Sequence, residues 1–373
     1  MKKLILIILA VLFVNTLTAQ KTSKVRVGSQ FGFIKEDGSY LIKPQYLKAG
    51  EFSDGLAAVF NGLKWGFIDN ANNIVIDYQY DRAKSFDSGI AIVSNLKVWF
   101  YINKKGEKIK MPQSDKLYDF HNGIAQIKRG VLVGLINSKG EVILEPKYNK
   151  IRKFHNGFAK VAIAKSWGLI NEKGEEVVPL EYLSIGRYIN GVTYAKKEGK
   201  LGVINNTVFK EVEALRIWNF NHDGVAKATG KNKLIGFINK SGDWLIKPQF
   251  KKARNFKNGL APASVKGKSW GYIDTTGNFV IEQQFRDATS FSKDGLAPVK
   301  LTKLWGFINK SGELVIKDKY DITTKSFNMF KKQEKGFING IAKVGKAKKW
   351  NFINTKDQPL SKIWFDSITN FTE

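Results

Sequence analysis

Short apolar runs return along this chain at one fixed distance. The pairs Phe31-Gly32, Trp65-Gly66, Trp99-Phe100, Val133-Gly134, Trp167-Gly168, Leu201-Gly202 and Ile235-Gly236 succeed one another every 34 residues. Trp270-Gly271 and Trp305-Gly306 follow at 35, and Trp350-Asn351 at 45. Three residues beyond each anchor stands an isoleucine, from Ile34 and Ile68 through to Ile308 and Ile353. A period this strict overrides the two or three ordinary domains that 373 residues would suggest.

A second ladder follows each anchor, in which an aromatic precedes a turn: Phe52 to Gly55, Phe86 to Gly89, Phe120 to Gly123, Phe154 to Gly157, Tyr188 to Gly191 and Phe256 to Gly259, with one-residue-longer versions at Phe220 to Gly224 and Phe291 to Gly295. From each glycine three strands can be counted. In one unit they are Leu56 to Phe60, Trp65 to Asp69, and the stretch through Ile74-Val75-Ile76. Asn or Asp opens the connection between the second and third strands in most units, and Gly38, Gly106, Gly140 and their counterparts close it. An Asx side chain bonds backbone two residues on and glycine supplies positive φ, so the connection reads as a tight antiparallel hairpin.

Alternation puts Trp65 and Phe67 on one face of the second strand and Gly66 and Ile68 on the other. Both faces are apolar, so neighbouring units must cover both. The glycine is expected where the next sheet comes close. The fold class is therefore all-β: ten tandem three-stranded antiparallel units stacked as an open, curved, solenoid-like array. A closed propeller-like ring is the alternative, disfavoured because ten units exceed the usual four to eight blades of four strands.

Unit boundaries fall near 24–52, 55–86, 89–120, 123–154, 157–188, 191–220, 224–256, 259–291, 295–327 and 340–371, with an insertion at 328–339 that carries Lys331-Lys332. Unit six is the most eroded: Asn205-Asn206-Thr207 shortens its hairpin, and Glu211 and Glu213 fall where apolar residues or proline sit elsewhere. The last aromatic, Phe371, begins what would be another turn, and no sorting or attachment domain is expected after it.

At these residues the chain resembles the bacterial WG-repeat family, whose units carry Trp-Gly-Phe-Ile-Asp, a later Gly, a Val-Ile pair, Pro-x-Tyr and Phe-x-x-Gly-Leu-Ala. Trp65 to Asp69, Pro248-Gln249-Phe250 and Phe256 to Ala261 match that pattern. Val133, Leu201 and Ile235 depart from it at the tryptophan, and Tyr78 at the proline. The resemblance spans about residues 24 to 373 and implies an exported or cell-surface-associated repeat protein, with no catalytic residues to carry over.

Residues 1–19 read as a signal peptide: Lys2 and Lys3, an apolar core from Leu4 to Val14, and Ala19 before the cut, leaving 20–373 as the repeat array. The core is too short to span a bilayer and nothing later is long and apolar enough, so the mature chain is expected to be soluble, in the periplasm or outside the cell. Without cysteine, neither lipid anchoring nor a disulfide is available. The net charge is +28, or +26 once Lys2 and Lys3 are removed, and the excess is spread along the chain. Such a field favours anionic partners generally. Lysine outnumbers arginine about six to one, and arginine is the residue suited to bidentate phosphate and base recognition, so nucleic acid is disfavoured.

Six anchors are tryptophans: Trp65, Trp99, Trp167, Trp270, Trp305 and Trp350. A row of indoles suits stacking on sugars or bases. Phe, Val, Leu and Ile replace them in the other units, however, which a packing site tolerates and a stacking platform does not, so they read as core. His121, His155 and His222 all lie in the aromatic turns. With no carboxylate or cysteine at ligand spacing they read as turn residues, and no metal or cofactor is expected. Asp81, Asp87, Asp321 and Asp366 sit in loops and hairpin ends, where acids are ordinary turn formers; a glycosidase-like pair among them is a minor alternative.

No catalytic, cofactor-binding or metal residue is assigned, and the chain is expected not to be an enzyme. The leading expectation is a binding or scaffold surface for a cell-envelope or extracellular partner, either a protein or an anionic polymer. A spacer that sets length without binding is the second reading.

Overall fold

The computed structural model describes residues 20–322 and 335–372. The expected signal peptide, and the insertion as far as residue 334 with Lys331-Lys332, lie outside the described residues. What is described contains no helix: it is ten small antiparallel sheets, eight with four strands and two with three.

Blade 2 shows the pattern. A two-residue entry strand, Lys48–Ala49, is followed by two middle strands, Ala57–Phe60 and Trp65–Ile68, and then by a long strand, Ile74–Tyr80. The Phe52-Ser53-Asp54-Gly55 turn joins the entry strand to the first middle strand. Ser53 and Leu56 exchange both backbone hydrogen bonds across it, with Asp54 and Gly55 at φ 56° and 81°. Two consecutive positive φ values are the signature of a hairpin whose twist matches its strands, which is why Asn-Gly or Asp-Gly recurs there. The second hairpin closes as the sequence implies, with Asp69 Oδ1 accepting from the backbone N–H groups of Ala71 and Asn73.

The entry strand is the fourth strand that the three-strand reading lacks. It starts two residues after the preceding long strand ends: Tyr80 closes blade 2, and Arg82–Ala83 already pairs with Ser94 and Val93 of blade 3. One bent residue, Asp81, therefore carries the chain from sheet to sheet.

That offset closes the ring. The described chain enters at the first middle strand of blade 1, Thr22–Val27, and so lacks an entry strand of its own. Ser367–Ile368 supplies it, pairing antiparallel with Arg26 and Val25. Thr22 and Thr372 exchange both backbone hydrogen bonds at 2.8 Å. Val25 and Ile34 of blade 1 share one buried cluster with Phe352 and Phe365 of blade 10. Phe371 stacks on Phe352, so the aromatic that ends the chain serves the turn of the first blade. The closed ring, a ten-bladed β-propeller, replaces the open array: the unit repeats, but its strands are distributed so that the last copy completes the first.

The core lies between blades. Phe67 and Ile76 of blade 2 pack with Ala91, Val93 and Ile102 of blade 3. All ten anchor isoleucines are buried, none above 1 % exposed. Each contributes on the order of 1.5–3 kcal/mol by leaving water. Polar latches run alongside: Lys24, Gln126, Lys160 and Lys227, at one register position of the first middle strand, each donate to a carbonyl in the next blade's entry strand (Ala49, Ile151, Ile185 and Ala253, 2.8–3.3 Å).

The anchor glycine has a different reason from the one expected. The close approach comes from its own blade. Trp65 pairs with Tyr80 and Phe67 with Ile76, so Asp77-Tyr78-Gln79 arches over Gly66 as a bulge. A Cβ on Gly66 would lie 2.7 Å from Ile76 O. In blade 1 the arch is Lys43-Pro44-Gln45, which explains the Pro-x-Tyr element: proline is tolerated at a bulge, where no ladder hydrogen bond is due. The two units without glycine lose the arch, and blade 6, which keeps Gly202, pairs its last strand in unbroken register as well. In blade 3, with Phe100, the long strand shrinks to Lys108–Ile109. In blade 10, Asn351 is fully buried and its side chain bonds Ser361 O, Ile363 O and Phe352 N instead.

Phe337-Ile338-Asn339-Gly340, assigned above to the insertion and the start of unit ten, is the aromatic turn of blade 10, with Asn339 and Gly340 at φ 51° and 79°.

Candidate binding surface

An antiparallel meander sends alternate turns to opposite rims. The hairpins between the two middle strands share the upper rim with the bent junctions. Asp81 Oδ2 accepts from Leu96 N and Asp81 Oδ1 from Lys64 Nζ; Asp115 accepts from Gly130 N, Asn149 from Ala164 N and Asp366 from Gly28 N. The aromatic turns occupy the lower rim and touch from blade to blade: Gly89 N donates to Asp54, and Gly123 N to Ser88.

This alternation sorts the charge. The upper hairpin tips carry Lys97, Lys165, Lys231, Lys268, Lys303 and Lys348, all exposed, and among the tips only Glu198 is acidic. The lower rim mixes both signs: Glu36, Asp54, Asp87 and Asp119 alternate with Lys104, Lys153 and Lys257. Lysines thus stand on both rims, and it is the acids that divide: the upper hairpin tips hold only Glu198, whereas the lower turns carry lysines and acids together.

The acids singled out from the sequence do not meet. Asp81, Asp321 and Asp366 stand at upper-rim junctions and Asp87 on the lower rim. Asp81 and Asp366 cap hairpin tips, and those bonds with Lys64 and Lys349 hold both carboxyls below the usual range. Asp87 accepts from Asn122 N and faces His121 at 3.7 Å; Asp321 exchanges backbone bonds with Gly345. His121, His155 and His222 are all exposed on lower-rim turns. Burial, then Arg187, Lys153 and Lys160, lower the pKa of His155. Among the described residues no group of three His, Cys, Asp or Glu side chains could hold a metal ion.

The anchor tryptophans begin the second middle strand, just beneath the upper tips. Trp270 and Trp305 are buried, Trp65, Trp167 and Trp350 half-buried, and Trp99 37 % exposed. Cations cover several of the rings: Lys84 lies 5.9 Å from the Trp99 centroid, Arg152 5.7 Å from Trp167, Arg254 4.8 Å from Trp270 and Lys343 5.2 Å from Trp350. Indole faces already occupied by cations are packing and latch elements. What sequence reasoning missed is the difference between the rims, and the signal was present: acids recur in the connection between the second and third strands of most units, whereas between the first and second only Glu198 is acidic.

The profile of the WG containing repeat matches residues 31–64, 65–97, 99–130, 134–163, 167–200, 235–268, 270–305 and 305–324. The chain belongs to the WG containing repeat family. The stretch between 200 and 235, which the WG-repeat profile passes over, is the unit whose hairpin is shortened at Asn205-Asn206-Thr207. No curated protein matches the chain.

Solved structures similar to this WG-repeat ring include a eukaryotic initiation factor, at 10% identity and TM-score 0.43, covering 79% of this chain and 95% of that one. Hsv2p of Kluyveromyces lactis is 8% identical with TM-score 0.28, over 69% and 96%. BamB from Moraxella catarrhalis is 9% identical with TM-score 0.25, over 79% and 97%. Likenesses this distant carry no argument about this chain.

Proposed function

We propose that this WG-repeat protein is an exported, non-catalytic scaffold that binds an anionic, extended partner of the cell envelope through its upper rim. The observation that carries this reading is that the upper hairpin tips bear lysine or arginine in nine of ten blades and a single acid, Glu198. Nine of the ten tips present cations at repeated intervals around a ring, and many weak contacts to one polyanion add through effective concentration. Acids at the junctions of the same rim pair with some tip lysines, Lys64 with Asp81, Lys231 with Glu213 and Lys349 with Asp366, so the field offered to a partner is set by the cations left over, among them Lys97, Lys165, Lys268, Lys303 and Lys348. The leader Lys2 to Ala19 supports export; N-terminal sequencing of the secreted protein should begin at Gln20.

The test is retention on an immobilised polyanion at low and high salt. Reversing four upper-rim lysines (Lys231→Glu, Lys268→Glu, Lys303→Glu, Lys348→Glu) should abolish retention. Reversing four on the lower rim (Lys104→Glu, Lys139→Glu, Lys173→Glu, Lys240→Glu) should change it little. Equal losses from both sets would refute the rim assignment, and no retention at low salt would refute the reading as a whole.

A further inference from the structure

Resting on that reading, we infer that the partner of the upper rim is an anionic phospholipid bilayer, into which the tips of blades 2 to 4 insert. The tips are not alike around the ring. Leu63 of blade 2 is 85% exposed, Leu96 and Val98 of blade 3 are 89% and 63%, and Val131 of blade 4 is 75%. Leu47, at the junction into blade 2, is 47% exposed and lies against that tip, its Cδ1 3.3 Å from where a Cβ on Gly62 would stand. From blade 6 onward the tips are dominated by Lys200, Lys231, Lys268, Lys303 and Lys348. Exposed aliphatics recur elsewhere on the rim at Ile163, Leu183, Leu215 and Val265, 44–58% exposed, but the four most exposed ones all fall on the consecutive tips of blades 2 to 4, beside Lys64, Lys97 and Arg129.

Leu96 also sits in an unfavourable turn. It holds φ 47° beside Lys97 at φ 67°, the conformation that Ala347-Lys348 and Glu198-Gly199 take at other tips and that Asn or Gly fits without strain; Leu96 is the one large aliphatic side chain among these first central positions. Leucine there gains no packing, since it is almost wholly in water. A residue that is locally unfavourable and globally unburied points to burial in something else.

Two features separate a bilayer from a hydrated anionic polymer. A polysaccharide or polyphosphate neutralises lysines but offers no apolar interior for Leu63, Leu96 and Val131. A bilayer supplies both: headgroup phosphates for the cations, and an acyl boundary a few ångströms deeper for single aliphatic side chains projecting from hairpin tips. No helix among the described residues is long and apolar enough to cross a membrane, so this docking is peripheral.

Co-sedimentation of the purified protein with phosphatidylglycerol/phosphatidylcholine vesicles, and with pure phosphatidylcholine vesicles, tests the inference beside the polyanion column. The anionic vesicles should carry the protein down at low salt and the neutral ones should not. Leu63→Asn/Leu96→Asn/Val131→Asn should raise the half-saturating lipid concentration at least tenfold while column elution stays in place. Because the chain has no cysteine, Leu96→Cys gives a single site for an environment-sensitive dye, whose emission should shift to the blue on anionic vesicles. Retention on the column without vesicle binding, unchanged vesicle binding by the triple variant, or a dye that does not shift would each overturn the lipid inference and leave the basic-rim reading standing. Failure on both column and vesicles would remove both.

Discussion

Val25 lies directly opposite Ile368 in one sheet, although the two are separated by almost the whole chain. Ile368 is 4% exposed within the cluster that seals blade 10 to blade 1. Ile368→Ala should cost about 2–4 kcal/mol, the usual toll for emptying a core isoleucine site. Urea unfolding reads this directly. A loss below about 0.5 kcal/mol would mean that the seam contributes little to the fold.

The arch over the anchor glycine predicts a contrast between two glycines of neighbouring position. Gly66→Ala drives a methyl group into Ile76 O and should destabilise by about 1–3 kcal/mol through overpacking. Gly50→Ala meets nothing closer than 3.6 Å and should be close to neutral. Thermal unfolding of the pair checks it, and equal midpoints would count against the bulge as the reason for the motif.

At Asn351 the same logic runs backwards. Restoring the family glycine by Asn351→Gly removes the donor to Ser361 O and Ile363 O and the acceptor for Phe352 N in a fully buried site. The substitution toward the repeat's own pattern should therefore destabilise, by about 1–3 kcal/mol. A stabilised variant would show that blade 10 can rebuild an arched strand.

Lys343 sits on the inner face of the seam, its ammonium on Ile368 O and over the Trp350 ring. Burial pulls its pKa from 10.5 down to about 8, opposed by Glu51. Between those two values the unfolded chain holds a proton that the folded chain has released, so this residue's contribution to stability rises with pH across the window; below about 8 both forms are charged and the folded one carries the cost. Comparing Lys343→Met with the wild type from pH 7.5 to 10.5, the difference should move in favour of the wild type by on the order of 2–3 kcal/mol. Parallel pH curves would contradict the buried charge.

Much of the fold is legible in the sequence because each repeated residue answers a local demand. Ile68 must be apolar on a strand covered by a neighbouring blade, and Asp54-Gly55 must take two positive φ values. The entry strand Lys48–Ala49 leaves no such mark: two residues long and joined to the previous strand through Leu47 alone, it has no period of its own. Ring closure is equally silent, since the Val25–Ile368 pairing is set by geometry accumulated over ten blades. The aromatic turn at Phe337 was obscured by the irregular spacing before it. For the candidate surface, the charges were visible one by one, but which hairpins share a rim, and so which rim is poor in acids, follows from strand direction, which a charge total does not contain.

The distribution of strands at the seam also orders the protein's assembly in time. While the chain is being synthesised, blade 1 exposes the bare edge of Thr22–Val27, and nothing encoded before Ser367 can pair with it in the native way. An unpaired edge is a template for association with other chains. Blade 1 thus stays unfinished until Ser367–Ile368 has been made, and a chain released before that point would carry the Thr22–Val27 edge uncovered.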